Sequence, residues 1–184
     1  MVLGFAGLLG QMPSVESRDD RCVRLLHQHD GALRRLAASY ERDPSKQQDL
    51  VQDIWLAVWQ ALPRFRGECS ERTFVFRIAH NRAVSHVDHW QRRRADSLDE
   101  DAPVAAPQPD PERALSTQQR HERLRTAVQS LPHGMRQVVV LSLEGLTHAE
   151  IADIVGITEN NVAVRLTRAR AALSRLLGTR EDRT

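Results

Sequence analysis

The sequence predicts an all-α protein: two small helical domains joined by a flexible acidic linker. Ala, Leu, Arg, Gln and Glu dominate while aromatics make up 4% of 184 residues, so helix propensity outweighs strand propensity almost everywhere. Apolar residues recur at helical spacing on both sides of a single interruption. That interruption, ADSLDEDAPVAAPQPDPERALSTQQ from Ala95 to Gln119, holds six acids, one arginine and four of the eight prolines, which is linker composition. The chain accordingly divides into an N-terminal extension (1–17), a first domain (18–94), the linker (95–114), a second domain (115–178) and a tail (179–184).

A 41% hydrophobic and 27% charged composition is an ordinary globular balance. The formal net charge of +2 conceals asymmetry, because basic residues gather at Arg77–Arg94 and Arg165–Arg180 whereas Asp96–Glu112 is acidic. Partners therefore have to be inferred from patches rather than from the sum. Lys46 is the single lysine among 26 basic residues; this suits bidentate phosphate contacts but follows equally from arginine-rich codon usage. Cys22 and Cys69 lack CxxC partners, so neither a disulfide framework nor a thiolate zinc site is indicated and a cytoplasmic location is the default. The opening MVLGFAGLLG is apolar, yet it has no basic n-region or cleavage site and is too short to cross a bilayer; no membrane partner is expected, and Met12 is an alternative start. His27, His29, His86 and His89 occur without HExxH, so no metal, cofactor or catalytic residue is expected.

In the first domain, Arg18–Ala38 is helical, with Val23, Leu26, Leu33 and Leu36 apolar-periodic, and Asp43-Pro44 breaks the pattern. Ser45 to Gln48 has the S-x-x-Q form of a capping box, starting a helix that should run to Leu62, before Pro63. Leu50, Ile54, Ala57, Val58 and Ala61 form its apolar stripe, and Asp49, Gln52, Asp53 and Leu56 form a second, partly acidic one. After the turn-like PRFRGECSE, Thr73 to about Arg94 is helical again. Phe74, Ile78 and Val84 are its apolar residues, and Arg77, His80, Asn81, Arg82, Ser85, His86 and His89 its polar ones. Aromatic, amide and cationic groups in one helix suit single-stranded DNA, where rings stack on bases and arginines follow phosphates; Phe74, Phe76 and Trp90 as core residues is the plainer alternative.

In the second domain, Glu112–Ser130 and Pro132–Leu143 are helical, the latter with proline in its first turn and ended by Glu144-Gly145. Thr147-His148-Ala149-Glu150 is a T-x-x-E capping box before the short apolar face Ile151, Ala152 and Val155, and Gly156 supplies the stop. Thr158 then caps a last helix, and two short helices joined by about three residues containing glycine form a helix-turn-helix. On that last helix Val162, Leu166, Ala169, Leu173 and Leu176 fall on one arc. The opposite arc carries Asn160, Val164, Thr167 and Arg168, with Ala163 and Arg165 at its margins. Asn pairs with adenine, Arg with guanine, and Val or Thr methyls meet thymine, so this face reads as DNA-binding. Glu159 either complements the helix dipole or accepts from cytosine.

With these residues in view, the chain resembles the extracytoplasmic-function (ECF) group of the bacterial sigma-70 family of RNA polymerase sigma factors. DLVQDIWLAVWQALPRFRG and FVFRIAHNRAVSHVDHWQRRR are similar to the family's region 2, and LRTAVQSLPHGMRQVVVLSLEGLTHAEIADIVGITENNVAVRLTRARAAL to its region 4. The resemblance implies a factor that binds core RNA polymerase, through the beta-prime clamp and beta flap, and directs initiation at promoter DNA, with an anti-sigma factor as a further candidate partner. It places core-polymerase binding at Asp49, Gln52, Asp53 and Leu56. It places minus-ten contacts at Phe65, Arg66, Gly67, Glu68, Cys69 and Ser70, in a loop that captures a flipped base, and at Arg77, His80, Asn81 and Ser85 on the melting helix. Minus-thirty-five contacts fall on Glu159, Asn160, Asn161, Ala163, Val164, Arg165, Thr167 and Arg168. The chain departs from the family pattern at Phe74, where tryptophan is usual, and at Ala163 and Val164, often basic and serine; Glu68 and Glu71 put acids in a loop that approaches DNA. The alternative is a helix-turn-helix regulator acting without core polymerase.

Overall fold

A computed structural model describes residues 17–96 and 117–178, and among these it contains seven α-helices, one short 3-10 turn and no strand. The expected extension and tail, and the linker beyond Asp96, lie outside the described residues. Helix α1 spans Arg18–Tyr40 and starts at Ser17, whose hydroxyl accepts from the Asp20 amide at 3.1 Å. Leu25, Leu33, Leu36 and Ala37 are buried on its inner side, whereas Val23 and Leu26 are 54% and 37% exposed. Of the expected apolar set, Leu33 and Leu36 are thus buried, while in the first turns the inner position belongs to Leu25, about 20° from Leu36 at 3.6 residues per turn, with Leu26 at the margin of the same arc and Val23 outside it.

Helix α2 spans Pro44–Ala61 and is followed by the 3-10 turn Leu62–Arg64. Its N-cap is Asp43, which accepts from the Ser45 and Lys46 amides, and Pro44 takes the first helical position. The predicted Ser45–Gln48 box does not form, since an aspartate directly before a first-turn proline already satisfies the free amides. Leu50, Ile54, Ala57 and Val58 are buried as the stripe predicts. Helix α3 spans Glu71–Asp96, passing two residues beyond the expected boundary. Its buried stripe is Thr73, Val75, Phe76, Ala79, His80 and Ala83, beside the expected Phe74, Ile78 and Val84, which are half-buried. The expected polar face of α3 is thereby broken at His80.

The second lobe consists of α4 (Thr117–Gln129), α5 (His133–Leu143), α6 (His148–Val155) and α7 (Glu159–Gly178). Pro132 sits at the N-cap of α5 rather than inside it. Val128, Leu131, Val138, Leu141, Ile151, Val162, Leu166 and Ala169 form the core of this lobe, and Leu176, expected there, is 50% exposed near the end of α7.

The two lobes pack together, α3 on α6 and α1 on α4 and α5. Arg35 makes a two-pronged ion pair with Glu144 at 2.8 and 2.6 Å. The Gln129 amide donates to the Ala38 carbonyl at 2.6 Å, the Thr73 hydroxyl donates to Glu150 at 3.0 Å, Arg72 donates to the Glu144 carbonyl, and Arg77 pairs with Asp153. Tyr40 meets the His133 ring edge-on at 6.3 Å between centroids.

Candidate nucleic-acid and polymerase interfaces

In the second lobe, the first helix of the pair is set by its own termini. Thr147 accepts from the Glu150 amide at 3.3 Å, and Glu150 Oε2 accepts from the Thr147 amide at 2.8 Å, a closed capping box. Three hydroxyl and amide donors converge on Glu150, which holds its carboxyl below the usual range. Gly156 adopts φ +75°, which a β-carbon disfavours, and its amide returns to Ala152. The chain thereby turns in three residues, and the Thr158 hydroxyl accepts from the Asn161 amide at 3.3 Å to start α7.

Because Val162, Leu166 and Ala169 are buried, the opposite side of α7 is turned out: Glu159, Asn160, Asn161, Val164, Thr167 and Arg168 are exposed, with Val164 at 40%. Thr167 donates its hydroxyl to the Ala163 carbonyl at 2.9 Å, which leaves its methyl for apolar contact. Ala163 and Arg165 are half-buried margins of this face. Arg165 lies against α5, where a β-carbon on Gly134 would stand 3.2 Å from its guanidinium.

In the first lobe, two indoles orient α2. Trp55 donates to Asp30 at 3.2 Å and Trp59 to Asp19 at 2.8 Å, with the Arg18 guanidinium 3.6 Å from the Trp59 ring centroid. Asp49, Gln52, Asp53 and Leu56 remain exposed as one stripe, Leu56 at 53%. An acidic stripe with an apolar member suits a basic, partly apolar partner.

Arg64, Phe65, Arg66, Glu68, Cys69, Phe74 and Arg77 line a cavity of about 330 Å³ between the 3-10 turn and α3. Its aromatic wall is Phe65 against Phe74, centroids 4.7 Å apart. Gly67 turns the loop at φ +77°. Ser70 precedes α3 and accepts from the Thr73 amide at 3.0 Å, so its hydroxyl serves the helix start. Glu71 is held by Arg21 and Arg24 from α1, at 2.7 and 2.8 Å. Hydrogen bonds from these two arginines bring its carboxyl down to about 2. This acid is therefore neutralised rather than turned towards DNA.

The residues expected on the melting helix divide. Asn81 and Ser85 are exposed. Arg77 reaches the cavity but is paired with Asp153 of the second lobe. His80 is 4% exposed on the buried stripe, with burial bringing its pKa down to about 4. His86 is engaged with Glu41 at 2.9 Å. Among the described residues no group of His, Cys, Asp and Glu is arranged to hold a metal, and no helix is long and apolar enough to cross a membrane. Arg64 and the pair Arg21 and Arg24 were absent from the sequence expectation. A signal for Arg64 was present, an arginine beside the loop's aromatic, whereas nothing local marks two arginines that act some 50 residues away.

These paired lobes are matched by family patterns: Sigma-70 region 2 over residues 25–94 and Sigma-70, region 4 over residues 121–173. The RNA polymerase sigma factor NccH of Alcaligenes xylosoxydans xylosoxydans is 32% identical over 160 residues, covering 84% of this chain and 85% of that protein. The chain belongs to the sigma-70 family of RNA polymerase sigma factors. Within that family it is of the ECF group: the ECF RNA polymerase sigma-E factor of Escherichia coli K12 is 31% identical, over 68% of this chain and 70% of that one. The sigma factor RpoE of Bartonella quintana, solved in complex with the anti-sigma factor NepR, superposes with a TM-score of 0.72 at 25% identity, covering 88% of this chain and 98% of that one. This sigma factor therefore acts with RNA polymerase in promoter-specific transcription initiation, and a polymerase-independent regulator is not favoured.

Proposed function

We propose that the two lobes divide promoter recognition between them, and that the outward face of α7 reads the minus-thirty-five element. The observation that carries this reading is the exposure of Asn160, Val164, Thr167 and Arg168 opposite the buried Val162, Leu166 and Ala169. A helix so placed after a capped three-residue turn enters the major groove, where amide, guanidinium and methyl groups distinguish base pairs. Glu159, Asn161, Ala163 and Arg165 flank that contact.

The cavity formed by Phe65, Arg66, Glu68 and Cys69, with the Gly67 turn beside it, takes one unstacked base of the minus-ten element. Arg77, Asn81 and Ser85 line the approach; Ser70 and His80 support it from the helix start and the buried stripe. Capture of one base offsets an unstacking cost of a few kcal/mol. Contact of Arg77 with DNA requires exchange of its pair with Asp153, so DNA and the second lobe compete for the same guanidinium. Asp49, Gln52, Asp53 and Leu56 bind the beta-prime clamp, and the second lobe meets the beta flap. The domain bounds are 18–94 and 115–178, with the acidic linker between. An anti-sigma factor is a further partner, in keeping with the NepR complex of the Bartonella protein. The factor works in the cytoplasm, holds no cofactor and catalyses nothing itself; core polymerase forms the phosphodiester bonds.

Run-off transcription tests the whole. Purified chain with core polymerase is expected to start RNA at a cognate promoter; duplex binding without initiation would overturn the reading.

A further inference from the structure

We infer that Arg21 and Glu71 are positioning residues for base capture: together they fix the Phe65 ring as a wall of the minus-ten cavity. The inference rests on the proposed base-capture role of that cavity. The Arg21 guanidinium touches two things at once. Its Nε and Nη2 both lie 2.7 Å from Glu71 Oε1, and its central carbon lies 4.9 Å from the centroid of Phe65. Glu71 is the first residue of α3, so Arg21 ties the start of the melting helix to the aromatic side of the loop.

Arg24, one turn further along α1, donates to Oε2 of the same carboxylate at 2.8 Å and to Oε1 at 3.1 Å. With both oxygens engaged, the carboxylate is fixed, and so is the guanidinium that packs on the ring. Phe65 is thereby held from two elements, by Arg21 of α1 and by Phe74 of α3 at 4.7 Å. Ring orientation matters here because stacking on a base depends on the angle between the planes. A planar guanidinium keeps such an angle, whereas an ammonium at the same place supplies charge without a flat face. Every member of this arrangement lies in the first lobe, so it survives any separation of the lobes that frees Arg77.

The test uses holoenzyme assembled from the full chain and bacterial core RNA polymerase, presented with a randomised single-stranded DNA library; base preference is read at each position of the bound fraction. Wild type should show one position whose preference Phe65→Ala erases. Arg21→Gln and Glu71→Gln should each weaken preference at that position by roughly fivefold to tenfold, within the range that one base contact supplies, and leave the other positions unchanged. Arg21→Lys, which keeps the charge beside Glu71, should fold and still lose most of that preference. Retention of the preference in all three variants overturns the positioning role and leaves base capture standing. A loss spread evenly over all positions also overturns it, since that is the mark of a merely structural effect. Absence of any Phe65-dependent position in wild type overturns base capture and the inference together.

Discussion

Replacing Glu144 by alanine should loosen the two lobes. Its carboxylate takes parallel bonds from Arg35 Nε and Nη2 at 2.8 and 2.6 Å, with side-chain exposures of 8% for the glutamate and 66% for the arginine. A two-pronged arginine–carboxylate pair belongs at the favourable end of the range for exposed pairs, about 1 kcal/mol, because the arginine rehydrates freely when its partner is removed. That is about a fivefold change in the ratio of closed to open molecules. The bond from Arg72 to the Glu144 carbonyl does not involve the deleted side chain, and the Arg77–Asp153 and Thr73–Glu150 contacts also persist. The lobes should therefore open more often without losing their docked arrangement altogether. Small-angle X-ray scattering of the free chain should give a larger radius of gyration for Glu144→Ala than for wild type at low salt. The difference should shrink as salt is raised, since screening acts over about 10 Å at 0.1 M. Identical scattering for the two proteins at every salt concentration would refute the argument, as would a fall in thermal midpoint without any change in dimensions.

Thr147→Ala removes the hydroxyl of the capping box and should cost about 1 kcal/mol, lowering the thermal midpoint by about 2–4 °C; duplex binding should weaken more than core-polymerase binding, as paired affinity measurements would show. Two groups with large shifts contribute to the acid response. Glu71, at about 2 against an ordinary 4.5, contributes stability that is complete above pH 4.5 and is lost as pH falls towards 2. His80, brought to about 4 from 6.5 by burial, lets the native state weaken as pH falls from 6.5 to 4. Urea midpoints measured across these windows should show a shallower upper slope in His80→Gln and a shallower lower slope in Glu71→Gln. Arg168→Ala should weaken duplex promoter binding by about fivefold or more, in line with loss of one base contact, and leave core binding intact. Asp53→Arg should do the reverse, and equal losses in both assays would contradict the division of labour.

Most features set within one or two turns of the chain are legible in the sequence. The capping box from Thr147 to Glu150, the Gly156 stop and the buried run Val162, Leu166 and Ala169 follow from short-range rules, because each involves residues within a turn or two of one another. The outward stripe from Asp49 to Leu56 was legible for the same reason. Where the apolar pattern is dilute, it leaves the inner positions open. Helix α1 offers Val23, Leu25 and Leu26 to choose among, and α3 buries a histidine and two alanines in its core stripe while leaving Phe74 half-buried. Periodicity ranks residues by side-chain type, and it cannot place His80 inside when the neighbour that covers it belongs to another element. The Asp43 cap was missed because Asp-Pro reads as a break, although it is equally a start. Long-range pairs left no signal at all: Arg35 and Glu144 are 109 residues apart, and Arg21 and Glu71 are 50 apart.

The carboxylate of Glu150 belongs both to the start of α6 and to the contact between the lobes. It accepts from the Thr147 amide and hydroxyl at 2.8 and 2.9 Å within its own turn, and from Thr73 at 3.0 Å across the gap. When the lobes part, only the last of these must be replaced, and a water molecule supplies the same donor. The helix pair thus leaves the first lobe fully formed. On the proposed function, undocking is a rigid-body swing with no refolding step, and α7 arrives at DNA already assembled.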